Sequence, residues 1–220
     1  MRKAMVLGVL GLAGTLASPA FADDFSGFRL GMNMSSDTLA STLFFEPALD
    51  TEDFRAKRFG YGLFGGWALN RYFAVEAGLR GGSEFNANPF NALLANPSTD
   101  FIVSHTDVKG LDASVVGTLW IGKKFGIFGR AGMFAWKAEQ TMSVGSYATE
   151  TTPASKATVS VDDTGFDPLF GVGIQTVLDT ALIRVEYQQT EIGDLGAAGA
   201  FNLRDNTVNS LNFSVVWTLH

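Results

Sequence analysis

Between Phe59 and Leu69 the odd-numbered residues are Phe59, Tyr61, Leu63, Gly65, Trp67 and Leu69, while the even-numbered ones are Gly60, Gly62, Phe64, Gly66 and Ala68. A period of two sends alternate side chains to opposite faces of an extended strand, so one face here is greasy and the other mostly small. After Asn70-Arg71 the alternation resumes, with Phe73, Val75, Ala77 and Leu79 on one face and Ala74, Glu76, Gly78 and Arg80 on the other. Two such runs across a short polar break predict a hairpin. The arrangement recurs in Leu111 to Ile121 with Phe125 to Trp136, across Gly122-Lys123-Lys124, and in Phe170 to Val177 with Ala181 to Gln189, across Leu178-Asp179-Thr180. Strands at Gly27 to Asn33 and at Val208 to Leu219 bring the number to eight.

The connections between these strands alternate strictly in length. Three are tight turns, and the others are the long segments Met34 to Arg58, Ser83 to Asp107, Glu139 to Asp163 and Thr190 to Thr207. That spacing predicts an all-β fold, an eight-stranded antiparallel up-and-down transmembrane β-barrel with short periplasmic turns and four long outer loops. Closure of the sheet satisfies every strand edge where lipid offers no hydrogen bonds. A soluble ligand-binding barrel would instead turn its apolar face inward. Charge placement decides between them, because Arg29, Glu76, Arg80, Asp112, Arg130, Asp167, Arg184 and Glu186 all take the parity opposite the greasy face. Four bases and four acids are costly against lipid but can pair inside a narrow barrel. Trp67, Phe73, Phe125 and Trp217 fall on the outer face near the short turns, where aromatic rings favour the membrane interface.

The N-terminus sharpens the compartment. Arg2 and Lys3 precede an apolar run from Ala4 to Leu16, and Ala20-Phe21-Ala22 has the small-x-small form of a cleavage site. Residues 1–22 are therefore expected to be a cleaved secretory signal, and 23–220 a single barrel domain in the outer membrane of a Gram-negative bacterium. Loss of Arg2 and Lys3 leaves 14 of the 16 basic residues against 22 acids, a charge of −8 that argues against nucleic acid as a partner. Without cysteine there is neither a disulfide framework nor a thiolate metal site.

Several segments resemble one family, the OmpA-type eight-stranded transmembrane domain and its small surface-barrel relatives. They are Gly27-Phe28-Arg29-Leu30-Gly31, Phe64-Gly65-Gly66-Trp67-Ala68-Leu69-Asn70, Arg130-Ala131-Gly132-Met133-Phe134-Ala135-Trp136, Asp163-Thr164-Gly165 through Gln175, and Arg184-Val185-Glu186-Tyr187-Gln188 with Ile192-Gly193-Asp194. The resemblance implies a lumen ion pair, or gate, between Glu76 and Arg184. The family's second interior pair is not kept, since Gln175 stands at its glutamate position. The family's peptidoglycan-binding domain is also not expected, because the chain stops at His220 after the eighth strand. The last strand, Leu211 to Leu219, resembles the terminal signal read by the barrel assembly machinery, with Leu219 in place of the usual aromatic.

Other candidate chemistry is thin. Gly60-x-Gly62-x-x-Gly65 has dinucleotide-fingerprint spacing but lies within an alternating strand with no helix after it, so no cofactor is expected. His105 with Ser104 and Asp107 suggests a hydrolase, yet neighbours in sequence seldom assemble a triad. Asp50, Glu52 and Asp53, or Asp162 and Asp163, lack a calcium loop, and no metal is expected. The expected role is structural or adhesin-like, through extracellular loops that meet a host or surface ligand, with lipid and lipopolysaccharide around the barrel. The apolar groups Leu43-Phe44-Phe45 and Ala48-Leu49 are candidates for such contact. The alternatives are a narrow ion or solute pore gated by the lumen charges and, third, a lipid A-modifying enzyme; no enzymatic activity is expected.

Overall fold

A computed structural model of the chain describes residues 26–44, 52–87, 101–146, 155–178, 181–193 and 202–219. The strands are β1 (Gly27–Phe44), β2 (Glu52–Ala68), β3 (Phe73–Gly82), β4 (Phe85–Ala87), β5 (Phe101–Ile121), β6 (Phe125–Ser146), β7 (Ser155–Leu178), β8 (Ala181–Ile192) and β9 (Asn202–Leu219). Each pairs antiparallel with its neighbours in the order β3-β2-β1-β9-β8-β7-β6-β5-β4, and a β3–β5 pairing closes the ring. Both β3 and the three-residue β4 lie along β5, opposite Gly110–Gly117 and Ser104–Thr106 respectively. They form one stave interrupted after Gly82, so the wall has eight staves.

The short turns are held by local chemistry. The Asn70 side-chain oxygen accepts from the backbone amides of Tyr72 (2.7 Å) and Phe73 (2.9 Å), which folds the chain back between β2 and β3. Gly122 takes φ +70° between β5 and β6, a left-handed backbone that glycine adopts without strain. Of the third turn, Asp179 and Thr180 are outside the described residues, as are the expected signal at 1–22, Phe45 and Ala48-Leu49.

The apolar parity faces out. Leu30, Met32, Leu63, Val75, Val115, Ile127, Val172, Val185 and Phe213 are all exposed on the barrel wall, a surface that suits lipid rather than water. Trp67, Phe73, Phe125 and Trp217 lie on this face at the short-turn end. At the opposite end Phe59, Tyr61, Phe166 and Tyr187 form a second aromatic level that the sequence reading did not single out. Eight residues separate Trp67 from Phe59 along β2, about 26 Å along the strand, which at the usual barrel tilt of about 40° spans about 20 Å of membrane height.

Beyond that second level the structure departs from expectation. β1 runs to Phe44 instead of ending at Asn33, β2 starts at Glu52, β5 at Phe101 and β7 at Ser155, while β6 continues to Ser146. Much of each segment expected as an outer loop is thus paired strand. The outward residues there are Thr38, Arg55, Lys57, Lys109, Lys137, Glu139 and Asp162, so hydrophobic alternation ends although the backbone ladder does not. Above the lipid a strand needs pairing partners, not a greasy face.

Candidate functional site: the charged lumen

The lumen is layered. At the short-turn end it is apolar, with Ala68, Ala74, Val116 and Phe128 in one cluster and Phe64, Leu182 and Val216, flanked by Trp120 and Val177, in another. Glycines make room for these rings, since a Cβ on Gly31 would run into Phe64 and one on Gly173 into Phe128.

The ionic layer comes next. Glu76 on β3 is 1% exposed and accepts from two arginines, Arg184 Nη1 of β8 at 2.7 Å and Arg130 Nη2 of β6 at 2.8 Å. Arg130 Nη1 also donates to Ser114 Oγ at 3.0 Å, and its Nε lies 2.9 Å from Glu186 Oε1, at ion-pair distance but without hydrogen-bond alignment. The two guanidinium groups lie over aromatic rings, Arg184 5.4 Å from the Phe128 centroid and Arg130 5.9 Å from Phe64. Gln175 is buried beside Arg184. It accepts from Arg184 Nε at 2.9 Å and donates to Thr118 Oγ1 at 3.0 Å, so a neutral amide completes the shell of Arg184. Arg29 is buried at the same level.

Higher still, Arg80 Nε pairs with Asp112 Oδ2 at 2.6 Å while its Nη2 donates to Gln188 Oε1, also at 2.6 Å. Asp167 stands apart from the other lumen charges, with Trp136 Nε1 donating to its Oδ2 at 2.6 Å and the Gly193 amide to the same oxygen at 3.2 Å. All eight lumen charges read from parity therefore face inward, and ion pairs link Arg184, Glu76, Arg130 and Glu186 in one group and Arg80 with Asp112 in another. The expected partnership of Glu76 with Arg184 is one half of a shared site, because Arg130 holds the other oxygen of the same carboxylate. A small void lies among Asn33, Arg80, Asp112, Arg130, Glu186 and Ser214.

One ion pair had no place in the sequence reading. Arg58 Nε meets Asp37 Oδ2 at 3.0 Å, its Nη1 donates to the Val108 carbonyl at 2.8 Å, and its guanidinium stacks 4.4 Å from the Phe85 ring. Both residues fall in a segment expected as loop. Continued parity was the available signal, since Asp37 follows Arg29, Asn33 and Ser35 inward, as Arg58 precedes Gly60, Gly62 and Phe64.

The minor candidates do not converge. His105 faces outward beside Asn86, with Glu84 at 3.4 Å, while Asp107 engages Lys109 at 3.5 Å. The side chain of Ser104 is outside the described residues, as are Asp50 and the side chains of Glu52, Asp53, Leu43 and Phe44. Asp162 pairs with Lys137 at 3.2 Å, whereas Asp163 Oδ1 accepts from the Thr164 amide. Among the described residues, no group of three or more acidic or histidine side chains is arranged to hold a metal. The glycines of the fingerprint-like run lie on β2, where Gly60 and Gly62 face Ser35, Asp37 and Asn33 rather than open space.

Residues 19–217 match the family described as the OmpA-like transmembrane domain. The chain belongs to that family. It is an outer-membrane β-barrel of a Gram-negative bacterium, and its exposed apolar wall is the lipid-facing surface that this location requires. Among solved structures, OprG from Pseudomonas aeruginosa is similar at 13% identity and TM-score 0.50, covering 89% of this chain and 98% of its own. Neisserial surface protein A is similar at 15% identity and TM-score 0.46, with 86% and 97% covered. At such identity the OprG likeness shows the fold alone. No curated protein matches.

Proposed function

We propose that this barrel is a surface-interaction protein, a rigid membrane stave that carries a protruding β-sheet to the cell exterior. The observation that carries this reading is the length of the outer strands. Pairing of β6 with β7 continues from the last apolar outward residues, Ala135 and Phe166, up to Ser146 and Ser155, well beyond what the membrane requires. Ordered pairing in that region fixes a binding surface in advance, which lowers the entropic cost of recognition. The reading includes no catalytic step, and overexpression should leave lipid A acylation unchanged. Its test replaces residues 140–160 with a tight turn and scores expressing cells for adherence to epithelial and abiotic surfaces. Adherence should fall while the protein still reaches the outer membrane. Unchanged adherence would remove the basis for this function.

A second reading, a narrow pore, is favoured by one feature. Arg130 lies between Glu76 and Glu186, so partner exchange could open a path without leaving a charge unpaired. Planar-bilayer recordings of wild type and Glu76→Ala distinguish the two readings. Silence from both supports the scaffold, and discrete wild-type conductance altered in the variant supports the pore.

A further inference from the structure

On the outer side of the membrane one flank of β7 has no ladder among the described residues. Its ladder with β6 extends from Thr176 to Ser155, whereas its ladder with β8 begins only at Leu169, opposite Thr190. Among the described residues, Ser155 to Gly165 therefore offers a row of backbone groups with no strand beside it, since β8 continues to Ile192 and the Gly193 amide reaches Asp167. Residues 155–160 are exposed on both faces, Val159 to 64%, so this edge stands clear of the barrel. The stretch Lys156-Ala157-Thr158-Val159-Ser160-Val161-Asp162 contains no proline or glycine and is rich in β-branched residues. Such an edge is a template for strand addition.

Its own sequence states which strand fits. In a symmetric antiparallel pair the two-fold axis stands perpendicular to the local sheet, so each face of one strand continues into the same face of the other. Even-numbered residues then oppose even-numbered ones. Lys156 is the one cation between Ser155 and Pro168, and Asp162 is the even-numbered acid there. A single register sets Lys156 opposite Asp162 twice, with Thr158 opposite Ser160 on the same face. On the other face that register brings Ala157 opposite Val161 and Val159 opposite itself. One step either way leaves Lys156 against Ser160 or Thr164. Asp162 already meets Lys137 at 3.2 Å, but its side chain is 63% exposed and has room for a second cation.

The axis also decides where the partner sits. Barrel strands rise out of the membrane, so an axis perpendicular to their sheet lies in the membrane plane and inverts the second molecule. An inverted copy belongs to a facing membrane. We propose that the β7 edge from Lys156 to Asp162 pairs antiparallel with the same edge of a second copy on an apposed outer membrane, which makes the barrel a homotypic tether between cells. Val159 lies seven residues past Phe166, about 23 Å along the strand, which projects the edge outward. One short strand pair is weak, but many pairs between two membranes act together. This inference rests on the surface-interaction reading and names its partner.

The test uses the full chain refolded into phosphatidylcholine vesicles, with clustering followed by light scattering. Folding of each variant is checked by heat-modifiable mobility. Wild-type vesicles should cluster, K156D vesicles alone and D162K vesicles alone should stay dispersed, and a mixture of the two variants should cluster again because each supplies the charge the other lacks. Dispersed wild-type vesicles, single reversals that cluster like wild type, or a mixture that stays dispersed would each overturn the proposal. Failure here with adherence to foreign surfaces intact removes the self-pairing alone. Unchanged adherence after replacement of residues 140–160 removes the surface role itself.

Discussion

Arg130 Nη2 donates to Glu76 Oε2 at 2.8 Å, so the glutamate on β3 is held by two arginines on different strands. With Glu186 on the other flank of Arg130, the centre of the lumen is a chain of alternating charge from Arg184 through Glu76 and Arg130 to Glu186. Each member is almost fully buried. Removal of one partner from such a site leaves an uncompensated charge, whereas removal of a pair does not.

Glu76→Ala leaves Arg130 and Arg184 facing one another with no anion between them. Unfolding in urea, followed by tryptophan fluorescence of vesicle-inserted protein, should show a loss of about 3–5 kcal/mol. The double variant E76M/R184M should recover part of that loss, since Arg130 keeps Glu186. A single variant within about 1 kcal/mol of wild type would mean that water, not protein, solvates this layer.

Gly171→Val tests how closely the wall approaches the charges. A Cβ at Gly171 would collide with the Glu186 carboxylate, while one at Gly129 has only the Gly171 carbonyl near it, at 4.0 Å. The first substitution should cost about 1–3 kcal/mol by overpacking, and Gly129→Ala should be near neutral. Equal effects in a thermal unfolding comparison would show that the lumen adapts freely.

On the outer surface above the membrane band, Lys137 Nζ donates to Glu139 Oε1 at 2.8 Å. That hydrogen bond holds the Glu139 carboxyl below its ordinary range, and the bonds to Glu139 and Asp162 hold the Lys137 amine above its own. A depressed carboxyl contributes above its ordinary pKa and loses that contribution as pH falls through the lowered value. A raised amine contributes below its ordinary pKa and loses it as pH rises through the raised one. The cluster should thus persist between these limits. Carbon-detected NMR titration should find Glu139 moving upward toward an ordinary carboxyl in Lys137→Ala, and an unchanged titration curve would contradict the pairing.

Deletion of Val215 to His220 removes the end of β9 that pairs with both β1 and β8. Closure is lost at the short-turn end, where Phe28 opposes Leu219 and Ala181 opposes Trp217. The truncated chain should give no heat-modifiable band in outer-membrane fractions. A normal band would show that the strand is dispensable for insertion.

The period of two, and the fact that charges share the parity opposite the greasy residues, were enough to determine the barrel, the inward orientation of Glu76, Arg130, Arg184 and Glu186, and the lower aromatic belt. These follow from the sequence because lipid and lumen impose opposite chemistry on neighbouring residues. Who meets whom inside was decided only by closure. Arg130 and Glu76 lie 54 positions apart, and their meeting depends on strand tilt and stagger, to which no local pattern is sensitive. The extension of β1, β2, β5, β6, β7 and β9 beyond the membrane was hidden for a related reason. Outside lipid the outward residues are as polar as the aqueous surroundings, so Asp37 and Arg58 read as loop although the backbone ladder carries them to an ion pair. The flank of β7 that has no ladder among the described residues is likewise a property of the assembled sheet, because an edge depends on where the neighbouring strand lies.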